Sequence, residues 1–447
     1  MKPILIKNAT IVNEGTTRKG DLLIEGEEIS YIGNPDERMA PTGATIIDAS
    51  GKLLIPGIID DQVHFREPGL THKGDIGSES RAAVAGGVTS FMDMPNTLPQ
   101  TITHDLLEEK YNTGAENSLA NYSFYMGATN TNLAEIMKAD PAEVCGIKVF
   151  MGSSTGNMLV DDEKSLRDIF KNAHMPVAVH CEDETIIKAN LAKYGSVYGD
   201  DIPVSLHPMI RSREACLRSS QFAVRLAEEY NTRLHVLHLS TADEMKLFRN
   251  DRPLAEKRIT AEVCVHHLWF DESSYLTRGN LVKWNPAIKT HFDRDSLLKA
   301  VNDDKIDIIA TDHAPHTVEE KAGKYLSCPS GGPLIQHSLV AMLELWHERK
   351  TGLEKIVEKM CHNPAILFRI SKRGFIREGY KADLCLVDPD SPWTVTKDKL
   401  LYKCKWSPFE GTTFRSEVFM TIINGTIVYN NGHINEDFRG QRLRFER

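Results

Sequence analysis

No run of 18 or more apolar residues occurs in the chain, so no membrane-spanning helix is expected. The N-terminal stretch also lacks the apolar core of a signal peptide. Eight cysteines are scattered through 447 residues with no Cys-x-x-Cys pair. Reduced thiols in a cytoplasmic enzyme are the expectation from that pattern. Positive charge is not in excess: 53 Lys and Arg face 62 Asp and Glu, for a net charge of −9. A nucleic-acid partner is therefore not expected. Internal repeats and low-complexity segments are missing too. What remains is a chain with 41% hydrophobic residues, able to bury a large core and too long for one average domain.

The two ends have one texture and the middle another. Ile4-Leu5-Ile6, Thr10-Ile11-Val12, Asp21–Ile24 and Ile29–Ile32 read as short antiparallel strands between turns. Ala382–Val387 and Met420–Val428 repeat that texture near the C-terminus, the latter with an Asn424-Gly425 turn. One small β domain built from both termini, residues 1–53 plus 370–447, is expected. Between them, residues 54–369 alternate apolar strands with helical stretches. Strands are expected at 54–64, 88–94, 121–128, 146–151, 176–181, 234–239, 259–265 and 306–311. Lys73–Ala85, Ser165–Asn172 and Ser212–Tyr230 read as helices. Eight strands with intervening helices predict an α/β fold, a parallel (β/α)8 TIM barrel. Active sites of such barrels lie at the C-terminal ends of the strands, which directs attention there.

The first strand ends in Asp60-Asp61-Gln62-Val63-His64-Phe65-Arg66. Positions two apart share a face, so Gln62, His64 and Arg66 are expected to point the same way. A neutral imidazole is a metal donor, and a guanidinium holds a carboxylate in a fork. The other strand ends carry Asn96, Lys148, His180-Cys181-Glu182, His238 and Asp312. His64, His180 and His238 offer nitrogens and Asp312 an oxygen to a metal. Lys148 stands inside an apolar strand, where an ammonium is costly. Reaction of its neutral amine with carbon dioxide gives a carbamate that can bridge two metals. The alternative is a packed stem whose head reaches a rim carboxylate. His235 and His238 are an odd number apart, so only one is expected to face inward. His238 is taken as the donor and His235 as structural. His266 and His267 are read as structural, His313 as a loop anchor, and Cys181 as a core thiol.

Together these segments resemble the dihydroorotases of the cyclic amidohydrolase superfamily. The matching pieces include His64-Phe65-Arg66-Glu67-Pro68-Gly69, Met94-Pro95-Asn96-Thr97, His180-Cys181-Glu182, His238-Leu239-Ser240-Thr241 and Asp312-His313-Ala314-Pro315-His316. The resemblance implies a metal-dependent barrel with a β-sandwich, and zinc, one or two ions per chain, with a carbamate on Lys148. It implies reversible ring closure of N-carbamoyl-L-aspartate to L-dihydroorotate in pyrimidine biosynthesis, through metal-activated water attack on a cyclic amide. Position by position, His180 and His238 would hold one metal, His64 and Asp312 the other, with Lys148 between them. Asp312 would also carry the catalytic proton. Arg66, Asn96, Asn285 and His316 would bind the substrate. The pattern departs at Gln62, where the family has another histidine, so one metal site loses an imidazole. A small-molecule substrate and a homo-oligomer, in the simplest case a homodimer, are the expected partners. Two other readings stay open: an allantoinase-like cyclic amidohydrolase, and a non-catalytic homologue that supports a partner such as aspartate transcarbamoylase.

Overall fold

The computed structural model describes residues 2–34, 37, 39–152 and 158–447. Its centre is a parallel barrel. Ile58–Val63, Val88–Asp93 and Asn121–Phe124 pair side by side, and Met126–Gly127 continues the third strand into the rest of the wall. Ile147–Phe150, Val177–His180, Leu234–Val236, Ile259–Cys264 and Ile308–Ala310 follow in order, all parallel. The wall closes where Val63 bridges His313 and His64 N–H donates to the His313 carbonyl at 2.7 Å. Helices such as Ile76–Ala85 and Arg213–Tyr230 lie between strands. Asp75 and Ser212 cap these two helices through side-chain oxygens, satisfying amides at their N-termini.

The barrel interior is divided by height. Ile59, Met92, Tyr125, Ala178 and Ile308 form an apolar lower core, sealed by Phe368, Leu443 and Phe445. Polar side chains occupy the upper layers, where the strands end.

Among the described residues, both termini build one nine-stranded sheet. Leu53–Pro56 pairs parallel with Ile4–Asn13 on one side and antiparallel with Leu384–Asp388 on the other. Strand alternation gives these strands two buried faces. Leu54, Leu384 and Leu386 enter the sheet's own apolar core. Leu53, Ile55, Cys385 and Val387 face the barrel's helical layer.

Several local expectations differ from what is seen. The run 54–64 is not one strand: it divides at Gly57. Gly57 N–H donates to the Asp383 carbonyl of the nine-stranded sheet, and Ile58 N–H donates to the Gly87 carbonyl of the barrel. Thr89 presses on this crossing so closely that a Cβ on Gly57 would lie 2.1 Å from Thr89 Oγ1. Gly57→Ala should therefore destabilise the chain by roughly 1–3 kcal/mol through overpacking. A lowered urea midpoint with unchanged slope is the expected readout. Near the N-terminus, Ile4-Leu5-Ile6 and Thr10-Ile11-Val12 belong to one strand, Ile4–Asn13, whose register shifts between Ile6 and Ala9. The Asn424-Gly425 pair does turn between two strands, with φ of 48° and 73°. Among the described residues no helix is long and apolar enough to cross a membrane.

Candidate active site

One cavity of about 230 Å³ opens at the C-terminal ends of the barrel strands. Gln62, His64, Arg66, Asn96, Lys148, His180, His238, Asn285, Asp312 and His316 all line it. Gln62, His64 and Arg66 do share it, though not by strand pleating alone. The strand ends at Val63, and Arg66 takes a positive φ of 73°.

His64 is held from both sides. Its Nδ1 lies 2.8 Å from Asn96 Oδ1, and its Nε2 lies 3.1 Å from Asp312 Oδ1. Asn96 thus orients an imidazole as well as lining the cavity. Gln62 Nε2 donates to the same Asp312 oxygen at 3.2 Å, and its Oε1 faces the Cys264 thiol at 3.7 Å. The glutamine therefore presents a hydrogen-bond donor to Asp312. Asp60 does not replace the missing imidazole, because its carboxylate takes the Thr311 hydroxyl at 2.6 Å.

Across the cavity, His180 Nδ1 and His238 Nε2 face each other at 3.0 Å. His180 Nε2 lies 3.0 Å from Glu182 Oε2, and Arg211 grips the same carboxylate. Burial first, opposed by Arg211 and His180, leaves the Glu182 carboxyl at about 2. An ionised Glu182 fixes the proton of His180 on Nε2 and turns the Nδ1 lone pair inward. Burial lowers the pKa of His64, His180 and His238, so all three imidazoles are neutral. His238 Nδ1 has no hydrogen-bond partner among the described residues. Converging neutral nitrogens beside a carboxylate make a donor set that fits a divalent metal of zinc's class.

Lys148 is 1% exposed and reaches no rim carboxylate among the described residues; its Nζ stands 4.7 Å from the Phe150 ring. Burial lowers its pKa to about 8, against the opposing pull of Asp312 and Glu262. A larger neutral fraction is what reaction with carbon dioxide requires.

Arg66 forms the opposite wall. Its Nε donates to the Pro315 carbonyl at 3.0 Å, and its Nη2 lies 3.1 Å from His316 Nε2. Nη1 keeps no protein partner among the described residues. Asn285 Oδ1 is likewise buried without a hydrogen bond.

The expectation that only one of His235 and His238 faces inward is wrong. His235 pairs across with Ala178 and Thr260 and lies fully inside the barrel. The strand ends at Val236, and His238 takes a φ of 39°, so the period of two does not reach it. His266 stacks on Trp284 at 4.6 Å, and His267 Nε2 meets the Pro286 carbonyl at 3.1 Å. Neither lines the cavity. His313 Nε2 pairs with Glu79 at 2.8 Å while its Nδ1 accepts from Leu334 N–H at 3.0 Å, which ties the loop after the eighth strand. Sequence reasoning missed Arg211 as the support of Glu182, and Asp61 and Glu262 as neighbours of His235. Only the spacing His180-x-Glu182 carried any signal for these.

The model of the amidohydrolase family matches residues 53–428. The dihydroorotase of Halobacterium salinarum is 31% identical, over 98% of this chain and 99% of its own length. The dihydroorotase of Clostridioides difficile is 32% identical, over 96% and 100%. Among solved structures, the L-hydantoinase (dihydropyrimidinase) of Arthrobacter aurescens superposes with a TM-score of 0.91 at 26% identity, over 97% of this chain and 98% of that one. The dihydropyrimidinase of Brevibacillus agri gives 0.89 at 24% identity over the whole of both chains. With its barrel, its cavity and these relatives, the chain belongs to the amidohydrolase family and is a hydrolase.

Proposed function

We propose that the chain is a zinc-dependent dihydroorotase, interconverting N-carbamoyl-L-aspartate and L-dihydroorotate. The observation that carries this reading is Arg66, whose free Nη1 shares one cavity with three neutral imidazoles, Lys148 and Asp312. Such a wall suits a small ring bearing a carboxylate more than a neutral hydantoin. The dihydroorotases among its relatives point the same way. Lys148, His180 and His238 would hold one zinc ion, His64 and Asp312 a second, with a carbon dioxide-derived carbamate on Lys148 serving both. Bound zinc would supply Lewis acidity, which activates water and polarises a carbonyl near neutral pH.

The side chains do the rest. Arg66 grips the substrate carboxylate through its free Nη1 while His316 Nε2, lining the same wall, accepts from Nη2 and aims the guanidinium, and Asn285 offers its unpartnered Oδ1 to a ring N–H. Asn96 holds His64 in one tautomer. Asp312 accepts the proton of the attacking water and delivers it to the leaving ring nitrogen; cyclisation reverses these steps. Glu182→Gln should weaken zinc retention by about 10- to 100-fold, because the carboxylate no longer polarises His180. Competition with a chelator measures it. Under the same titration the His64–Asp312 ion should leave first, since Gln62 turns a donor toward Asp312.

The reading carries with it a cytoplasmic homo-oligomer, in the simplest case a homodimer. The eight cysteines stand as buried free thiols, which suits a reducing compartment. Turnover of dihydroorotate by purified, zinc-replete chain, well above that of allantoin or hydantoin, is the expected result. Preference for either neutral ring would overturn the substrate assignment. Gln62 motivates a second reading, a non-catalytic homologue that supports a partner enzyme. Zinc-replete chain inert on all three compounds would select it.

A further inference from the structure

Below the cavity, a second set of donors converges inside the barrel. Lys148, Ala178, His235 and Thr260 are register partners across four adjacent strands, so their side chains start from one inward layer, out of which the long Lys148 chain reaches into the cavity. Asp61 and Glu262 reach the same point as His235. Its Nε2 lies 3.1 Å from Asp61 Oδ2 and 3.5 Å from Glu262 Oε2. One donor atom from each residue falls within 4.8 Å of the other two. All three side chains are fully buried.

Each residue has a tied end and a loose end. His235 Nδ1 lies 2.9 Å from Thr260 Oγ1. That hydroxyl gives its own hydrogen to the Leu234 carbonyl at 3.0 Å, so it must accept from Nδ1–H. That proton on Nδ1 turns Nε2 toward the two carboxylates; burial lowers the ring's pKa but Asp61 and Glu262 raise it to about 9 overall, so without an ion Nε2 holds a second proton, which a bound metal displaces. Glu262 Oε1 accepts the backbone N–H of His238 at 2.9 Å, and the Tyr125 hydroxyl donates to the Asp61 carbonyl at 3.0 Å. At the loose ends, both Asp61 oxygens, Glu262 Oε2 and His235 Nε2 have no hydrogen-bond partner among the described residues. The two contacts to His235 are close enough for ion pairs but lack the direction of hydrogen bonds. Unsatisfied buried carboxylates are costly. Ligands about 2.1 Å from a tetrahedral ion stand roughly 3.4 Å apart, which the observed separations approach.

We propose that Asp61, His235 and Glu262 form a cation site of their own, beneath the candidate catalytic donors, taking one divalent ion of the borderline class, such as zinc. Imidazole with carboxylate suits that class. The ion offsets two buried negative charges and, through Glu262, braces the backbone of His238. The site does not depend on which ring the cavity above it opens.

Crystals of the full chain grown in zinc and measured on both sides of the zinc absorption edge test this directly. An anomalous peak between Asp61, His235 and Glu262 is expected; its absence in zinc-saturated crystals overturns the proposal. Elemental analysis after chelator dialysis gives a second reading. His180→Ala/His238→Ala protein should keep the deep zinc. Asp61→Asn/Glu262→Gln protein should hold one zinc fewer than wild type, and the same zinc content in this variant as in wild type would overturn the site. If the second variant does not fold, the anomalous map decides.

Discussion

Lys148→Ala should lose about 1,000-fold or more in kcat, with part of that loss recovered by millimolar acetate or propionate. The size follows from the several kcal/mol of charge stabilisation that metal sites supply, at about 1.4 kcal/mol per decade. A plain lysine in this place would be an ammonium with no acceptor among the described residues, 4.7 Å from an aromatic ring and 1% exposed. A carbamate removes that difficulty and leaves an anion facing the neutral imidazoles. Small carboxylic acids fit the space the truncated side chain vacates, so they should restore both turnover and retained zinc. Intact-mass measurement of native wild type should show carbon dioxide's mass lost on acidification. Wild-type activity in Lys148→Ala, or native density ending at a bare amine with full zinc, would sink the carbamate.

Arg66→Met should raise KM strongly and leave zinc content unchanged. Losing a charge-assisted pair in a dry site costs about 2–5 kcal/mol by analogy with buried interface pairs, or roughly 30- to 5,000-fold in kcat/KM. Because the carboxylate is held equally before and during reaction, most of the loss belongs in KM. Arg66 has two of its donors committed to Pro315 and His316, so the fork is already aimed before substrate arrives. Methyl-ester substrates should be poor for wild type and nearly indifferent to the change. Near-normal kcat/KM for dihydroorotate would make Arg66 a rim residue and remove the main support for an acidic substrate.

The upper ring of the barrel was legible because polar residues interrupt apolar strands at their ends. His64, Lys148, His180, His238 and Asp312 stand out against Ile, Val and Leu, and all line one cavity. The deep layer was hidden for two reasons. The parity rule needs an unbroken strand, yet the strand of His235 stops at Val236 and His238 turns with φ 39°. Asp61, His235 and Glu262 also meet across the barrel from three strands, a proximity that local pattern does not encode. Asn96 was read for substrate alone, since nothing in Met94-Pro95-Asn96-Thr97 announces its contact with His64. The break at Gly57 was hidden because Leu53–Ile59 is apolar throughout, and only the partners on either side tell the two sheets apart.

The pairing of Leu53–Pro56 with Leu384–Val387 sets a schedule for synthesis. The partners are roughly 330 residues apart, and chains grow at about 5–20 residues per second. The ribosome therefore carries an open, apolar strand edge for roughly 15 to 65 seconds before its partner emerges. The barrel is made during that interval and has to fold with the nine-stranded sheet unfinished beside it. Nascent chains cut short of Leu384 should bind chaperones and be cleaved by proteases near residue 53, whereas chains released past Asn430 should resist both.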